Sequence, residues 1–344
     1  IIGNPPYQVT VAKKDTDNGQ KRSSNIFQHF QLLADKLAPR FSSLIYPAGR
    51  WIHRSGKGLA DFGYNQINDK RLCRLHFFPD STDIFQDVGI ADGLSIVFMD
   101  NAKKKEGFVY VYSKGGKTME IAMPNPGYTL MALDPMAEQI SQKIQAVVGE
   151  RFDYISNAVL SQKLFSIESD FVEKNPTLVR PYQEGMMLGE DEIKLFANDK
   201  AGKAGRTSWY VAHKSVIKTG LDYLHRWKVV VSSANAGGQK RSNQIAVLDN
   251  RSAFGRSRVA LKTFETEQEA RNFYAYCQTD FIRYAFLLTD EALTSLGKLV
   301  PDLLDYTDDN GIIDYTQDVN AQLYRLFGID EPMQAIIKQT LSER

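Results

Sequence analysis

The chain has 344 residues, 43% hydrophobic and 24% charged, which is core material for one large domain or two smaller ones. Its 42 basic and 41 acidic side chains leave a net charge of +1, so no global field directs it to a polyanion or a membrane surface. Two cysteines, Cys73 and Cys277, exclude a disulfide framework and suit a reducing, cytoplasmic setting, and no apolar run approaches the roughly 18 residues that a membrane helix needs.

Ile1-Ile2-Gly3 reads as the end of a buried strand entered in mid-domain; the first residue is not Met, and no signal pattern follows it. Asn4-Pro5-Pro6-Tyr7 follows directly, and residues 8–22 have the polar, Gly-containing texture of a mobile loop. From Ser24 onward apolar side chains recur at helical spacing (Ile26, Phe27, Phe30, Leu33, Ala34, Leu37), with Ser23 or Ser24 as N-cap and Pro39 as terminator. A strand over Phe41 to Tyr46, a helix around 56–68 and strands over Leu72–Phe78 and Gly93–Met99 come next. The order strand, helix, strand, helix, strand, strand predicts the second half of a doubly wound α/β sheet, its last two strands joined as a hairpin. Ligands of open sheets bind at the carboxyl ends of the strands, which is where residues 4–7 fall. The first half of such a domain would carry the Gly-rich cofactor turn; Ser55-Gly56-Lys57-Gly58, Gly115-Gly116 and Gly237-Gly238 all read as ordinary loops.

After Asp100 a second hairpin is expected, with arms Phe108–Tyr112 and Thr118–Met123. Pro124 and Pro126 form a linker, giving one domain at 1–124 and another at 125–344, the latter opening on a helix over 134–150 and continuing as mixed α+β structure. Charge is segregated in this half. From Lys194 to Lys262 there are 14 Lys or Arg against three acids, and from Pro301 to Arg344 nine acids against three bases. The basic stretch is interleaved with Trp209, Tyr210, Trp227 and Phe254, a composition suited to phosphate contact and base stacking, and equally to a solvated face.

The sharpest chemical signal is Asn4-Pro5-Pro6-Tyr7. The lone pair of an adenine amino group is delocalised into its ring, so the nitrogen is a poor nucleophile. Two acceptors aimed at its hydrogens draw it toward tetrahedral geometry; an Asn side-chain oxygen and the main-chain carbonyl of Pro5 can serve. The prolines fix φ and hold the loop before substrate arrives, and Tyr7 offers a flat face to an extruded base.

On these residues the sequence resembles the amino-group methyltransferases that use S-adenosylmethionine. Asn25-Ile-Phe-Gln-His-Phe30, Leu44-Ile-Tyr-Pro47 and Asp83-Ile-Phe-Gln-Asp-Val88 follow the motif in an order similar to the gamma-class N6-adenine DNA methyltransferases of restriction–modification systems, the TaqI-like and fused type II group. The resemblance covers residues 1 to about 100. It implies a Rossmann-like catalytic domain ending near 124, with 125–344 as a DNA target-recognition domain. It implies catalytic roles for Asn4, Pro5, Pro6 and Tyr7, and stacking of Tyr7 and Phe85 on the target base. It also implies S-adenosylmethionine as cofactor, double-stranded DNA as partner, and cofactor motifs in a preceding half of the domain, without which this stretch would turn over poorly. Similar four-residue motifs occur in methyltransferases acting on release-factor glutamines and RNA bases, and a DNA-specificity module without chemistry is the further alternative.

In the basic half the residues singled out for DNA contact are Lys240 and Arg241, beside the Ala-Gly-Gly-Gln loop, then Arg206, Arg256 and Arg258. Glu192-Ile-Lys194, with Asp170 as a distant acid, has the outline of a metal-dependent nuclease, a triplet common by accident. Histidines 29, 53, 76, 213 and 225 lack ligand spacing, so no metal is expected, and both cysteines read as buried apolar residues.

Overall fold

The computed structural model describes residues 1–11, 22–54, 58–128, 130–200, 206–233, 245–289 and 296–343. It is a mixed α/β chain in two compact units, Ile1–Ser141 and Gln142–Arg344.

The first unit begins with β1 (Ile2–Gly3), whose register against β4 (Phe41–Pro47) is parallel. Between them lie the paired strands β2 (Gln8–Val11) and β3 (Arg22–Asn25) and the helix α1 (Phe27–Leu37). Residues 8–11 and 22 are therefore strand where the sequence suggested loop; residues 12–21 lie outside the described residues. Ser23 and Ser24 belong to β3, and the helix starts after Ile26 without a side-chain cap from that residue. Its far end is as expected, Ala38 turning left-handed (φ 45°) before Pro39. After β4 come two short helices, α2 (Gly49–Ile52) and α3 (Ala60–Ile67), in place of one around 56–68. Strands β5 (Leu72–Phe78), β6 (Leu94–Asp100), β7 (Phe108–Lys114) and β8 (Lys117–Met123) complete a six-stranded sheet ordered β1-β4-β6-β5-β7-β8. Gly115-Gly116 is the β7–β8 turn, both residues at positive φ.

One feature of this sheet decides where loops meet. β6 is wedged between β4 and β5 and runs antiparallel to both, so β1, β4 and β5 all point the same way. The segments leaving their carboxyl ends, 4–7, 48–54 and 79–93, share one edge. The buried face carries Leu44, Tyr46, Leu75, Phe77, Val97 and Tyr110 against Phe27, Trp51 and Ile67 of the helices. Phe27 stacks on Tyr46 at 5.1 Å. Gln31, fully buried, is satisfied by Tyr46 Oη, which donates to its Oε1 at 3.2 Å, and by its own donation to Asp35. Only part of the α1 apolar stripe is used: Phe30, Leu33 and Leu37 remain exposed beside Ile1 and Ile2, and among the described residues no strand pairs with the second edge of β1.

The prolines at 124 and 126 sit within the first compact unit. Asn125 Nδ2 donates to Ile67 O, Gly127 N donates to Asn68 Oδ1, and Met131 is fully buried in its core. The helix α4 (Pro135–Arg151) contains the division between units.

The second unit opens with β9 (Asp153–Tyr154), α5 (Phe171–Lys174), β10 (Val179–Pro181), β11 (Glu192–Asn198) and β12 (Thr207–His213). It continues through α6 (Leu221–Leu224), β13 (Trp227–Ser232), β14 (Ile245–Leu248), β15 (Ser252–Phe254) and β16 (Arg258–Phe264). Two sheets result, β10-β12-β11-β15 and β14-β13-β16, with Leu195, Ala212, Val230, Phe254 and Ala260 in a shared core. Helices α7 (Glu267–Gln278) and α8 (Asp280–Leu287), strand β17 (Pro301–Asp302) and helices α9 (Val319–Leu326) and α10 (Glu331–Glu343) follow. Cys277 is fully buried as expected, whereas Cys73 is half-buried in β5. Among the described residues no helix is long and apolar enough to cross a membrane, and no three His, Cys, Asp or Glu side chains cluster as metal ligands.

Candidate functional site

β1 delivers Asn4-Pro5-Pro6-Tyr7 to the shared edge of the sheet. Asn4 is exposed, and neither its side-chain amide nor the Pro5 carbonyl has a hydrogen-bond partner among the described residues. Both residues line an open groove of about 230 Å³ whose other walls are apolar: Ile2, Phe30, Leu33, Leu37 and Leu44. Tyr7 is fixed from two sides. Its carbonyl accepts from Ile26 N at 3.0 Å, and its ring packs on the core while staying half-exposed. The hydroxyl is buried without a partner among the described residues, and burial raises its pKa. The motif thus presents two unengaged acceptors beside an aromatic ring held by backbone and core. That arrangement can orient a planar group bearing an N–H₂.

Phe85 lies on the segment between β5 and β6, half-buried and at the same edge. Asp80 caps the short 3₁₀ turn Ser81–Asp83 by accepting from Thr82 N at 2.9 Å. At the foot of the segment, Gly49 N donates to Asp92 O at 2.8 Å and Arg50 Nε contacts both Asp92 carboxylate oxygens at 2.9–3.0 Å. Sequence reasoning passed over Ser81, Arg50 and Asp92. The run Pro79-Asp-Ser-Thr-Asp83 does carry turn chemistry, but the Arg50–Asp92 pair spans 42 positions and has no local signature.

In the second unit the residues expected to contact DNA separate. Arg206 is exposed at the start of β12, its backbone N–H donating to Asp199 Oδ1 at 2.7 Å. Arg256 is partly exposed and paired with Glu168 at 2.8 Å. Arg258 is only 4% exposed, with its guanidinium 4.8 Å from the centroid of Phe196 and its pKa lowered by burial. That burial removes Arg258 from any surface-contact set. Lys240 and Arg241 lie outside the described residues.

Arg258 belongs instead to a cross-strand stack. Phe196 stacks on Trp209 at 4.7 Å, and Lys194 Nζ lies 5.7 Å from the Trp209 centroid and 5.4 Å from that of Tyr182. Other members of the basic segment also face inward. Lys228 is fully buried and donates to Leu224 O and Asp249 O, and Lys262 contacts both oxygens of the buried Asp302 at 2.7 Å. Part of the positive charge counted in the sequence is thus internal structure. Of the residues in the nuclease outline, Glu192 pairs with Arg180, Lys194 with Asp249, and Asp170 with Lys174.

Residues 1–85 match the model of the family described as Eco57I restriction-modification methylase. Over 122 residues the chain is 32% identical to an uncharacterized adenine-specific methylase of Mycoplasma pneumoniae, an overlap of 35% of this chain and 28% of that protein. The type IIL restriction-modification enzyme MmeI in complex with DNA shows a structural likeness at TM-score 0.39 and 8% identity, covering 92% of this chain and 50% of that one. The type IIG restriction endonuclease BpuSI shows TM-score 0.30 at 8% identity, with coverages of 84% and 42%. The chain spans half or less of each of these proteins. Its N-terminal quarter is similar to restriction–modification methylases.

Proposed function

We propose that the chain is part of a restriction–modification DNA methyltransferase of the gamma, TaqI-like class. It would methylate the N6 amino group of an adenine rotated out of duplex DNA. The observation that carries this reading is the unengaged pair of acceptors, Asn4 Oδ1 and Pro5 O, at the carboxyl end of β1. The match of residues 1–85 to a methylase family supports it.

The amino group donates one hydrogen bond to each acceptor, which releases the nitrogen lone pair from the ring, while Tyr7 and Phe85 hold the base plane. S-adenosylmethionine supplies an electrophilic methyl group when bound. The groove beside the motif does not fit it: the walls are apolar, with no acid to meet ribose hydroxyls. These residues therefore serve the amino-group end of the reaction. The exposed stripe Phe30, Leu33 and Leu37 and the free edge of β1 suit coverage by a further helix and strand. A preceding half of the same sheet, carrying the cofactor site, is the assigned occupant.

The second unit is read as the target-recognition domain. Arg206, with Lys240 and Arg241, would meet phosphates or base edges, and Arg256 would exchange Glu168 for phosphate. The test is direct. Full-length protein, duplex DNA and S-adenosylmethionine are incubated and the DNA is digested to nucleosides for mass spectrometry, with sequencing to map the modified positions. N6-methyladenine at one recurrent sequence is expected. Methylated protein or RNA with unmodified DNA would contradict the reading.

A further inference from the structure

The arc between Pro79 and Gly93 is organised around one small residue. Ser81 is 2% exposed, yet every polar group it owns beyond its own amide is engaged within the arc. Its hydroxyl donates to Val88 O at 2.5 Å and accepts from Ile90 N at 2.8 Å. Its carbonyl accepts from Phe85 N at 2.9 Å and Ile84 N at 3.1 Å. Val88 N in turn donates to Phe85 O at 3.0 Å. The climb to Phe85 and the return from it are thus closed on the same residue. Asp83 Oδ2 accepts from Gly115 N at 3.0 Å and ties the arc to the β7–β8 turn.

A hydroxyl is the smallest group that can donate and accept at once. A methyl in its place would leave the Val88 carbonyl and the Ile90 amide without their buried partner, and the arc would open to find water. A ring that must meet a planar base at stacking distance tolerates little such movement, because misplacement by about 1 Å can cost on the order of 100-fold in rate.

We propose that Ser81 is a positioning residue for base stacking: its hydroxyl closes the 81–90 arc and so fixes the height and tilt at which Phe85 is presented. This rests on the reading of Phe85 as the stacking partner of the extruded adenine. Ser81 touches neither base nor cofactor and acts through Phe85 alone.

The test is a double-mutant cycle in the full-length enzyme, using a duplex that carries the mapped target sequence and measuring single-turnover methyl transfer. Ser81→Ala is expected to slow transfer about 10- to 100-fold. KM for S-adenosylmethionine should stay within about twofold, since no group that binds it has changed, and Kd for the duplex should weaken no more than in Phe85→Ala. The double variant Ser81→Ala/Phe85→Ala should be no slower than Phe85→Ala, because a residue acting only through Phe85 has nothing left to act on. An isosteric pair keeps the test independent of folding: Ser81→Thr retains the hydroxyl and restores transfer relative to Ser81→Val, which removes it at equal volume. Multiplying losses in the double variant, wild-type transfer by Ser81→Ala, or equal transfer by the Thr and Val variants would overturn the proposal. Wild-type transfer by Phe85→Ala would instead remove the reading of Phe85, and the role of Ser81 with it.

Discussion

Gly93 is where the candidate stacking arc joins β6, and its geometry allows a cost to be worked out. Its φ is +65°, and a Cβ built there would lie 2.4 Å from Phe78 O, 2.9 Å from Phe77 Cε2 and 3.0 Å from Pro79 Cα. The left-handed conformation alone costs a non-Gly residue about 1–2 kcal/mol. The clash adds to this because Phe78 O and Pro79 Cα are backbone atoms at the end of β5, where Phe78 is in register with Leu94, and neither can withdraw without disturbing that pairing. Gly93→Ala should therefore lose about 3 kcal/mol or more, which for a domain of this size lowers Tm by roughly 8–12 °C. Two sister variants separate the contributions by thermal unfolding. Gly115→Ala has positive φ but nothing within 4 Å and should show the backbone cost alone; Gly89→Ala has neither and should be neutral. A Gly93→Ala protein melting within 1–2 °C of wild type would refute the close packing at the foot of the arc.

Three further outcomes are expected. Leu37 is 64% exposed on α1, so Leu37→Asp should cost less than about 1 kcal/mol in the chain alone. It should cost about 3 kcal/mol or more, with loss of methylation, in a full-length protein whose preceding half covers that stripe; equal melting shifts in both settings would contradict such coverage. Lys228 is pushed down to about 7 by burial, whereas an unfolded lysine keeps its proton to about 10.4. The unfolded state then binds more protons between those values, so stability should rise as pH climbs from 7 toward 10 by no more than about 5 kcal/mol. Lys228→Met should flatten that rise, and parallel Tm-versus-pH curves for the two proteins would count against it. Tyr7→Phe removes a hydroxyl that is buried without a partner among the described residues, so stability should hold or gain up to about 1 kcal/mol. Its methylation rate should stay within about threefold of wild type while Tyr7→Ala falls about 100-fold; a Tyr7→Phe rate as low as that of Tyr7→Ala would show that the hydroxyl rather than the ring is the working part.

Local pattern made part of this molecule legible. Alternation and turn residues located β4 through β8 closely, and Pro39 correctly ended α1, because these are properties of neighbouring residues. The antiparallel pairing of β5 with β6 was legible as a hairpin, but the second pairing of β6, against β4, was not: it joins residues some 50 positions apart, as in Leu44 with Val97, and no short-range period encodes it. Composition counted the basic side chains between 194 and 262 but not their direction, so Arg258 and Lys228 read as surface charge while the fold buries them. The Asn-Pro-Pro-Tyr motif could be singled out as a candidate because its residues are adjacent in the chain. The arc that presents Phe85 is closed by a hydroxyl bridging 81 to 88 and 90, a geometry that a serine in a polar run does not announce.

Asn4, in the function proposed above, works as an acceptor for an adenine amino group. Asn4→Asp keeps an oxygen acceptor at the same position, while Asn4→Ala leaves only the Pro5 carbonyl. Single-turnover transfer of methyl to adenine N6 by the full-length enzyme should therefore fall by about 100- to 1,000-fold for Asn4→Ala, with duplex affinity unchanged, and be substantially retained by Asn4→Asp. Transfer at the wild-type rate by Asn4→Ala would contradict the account.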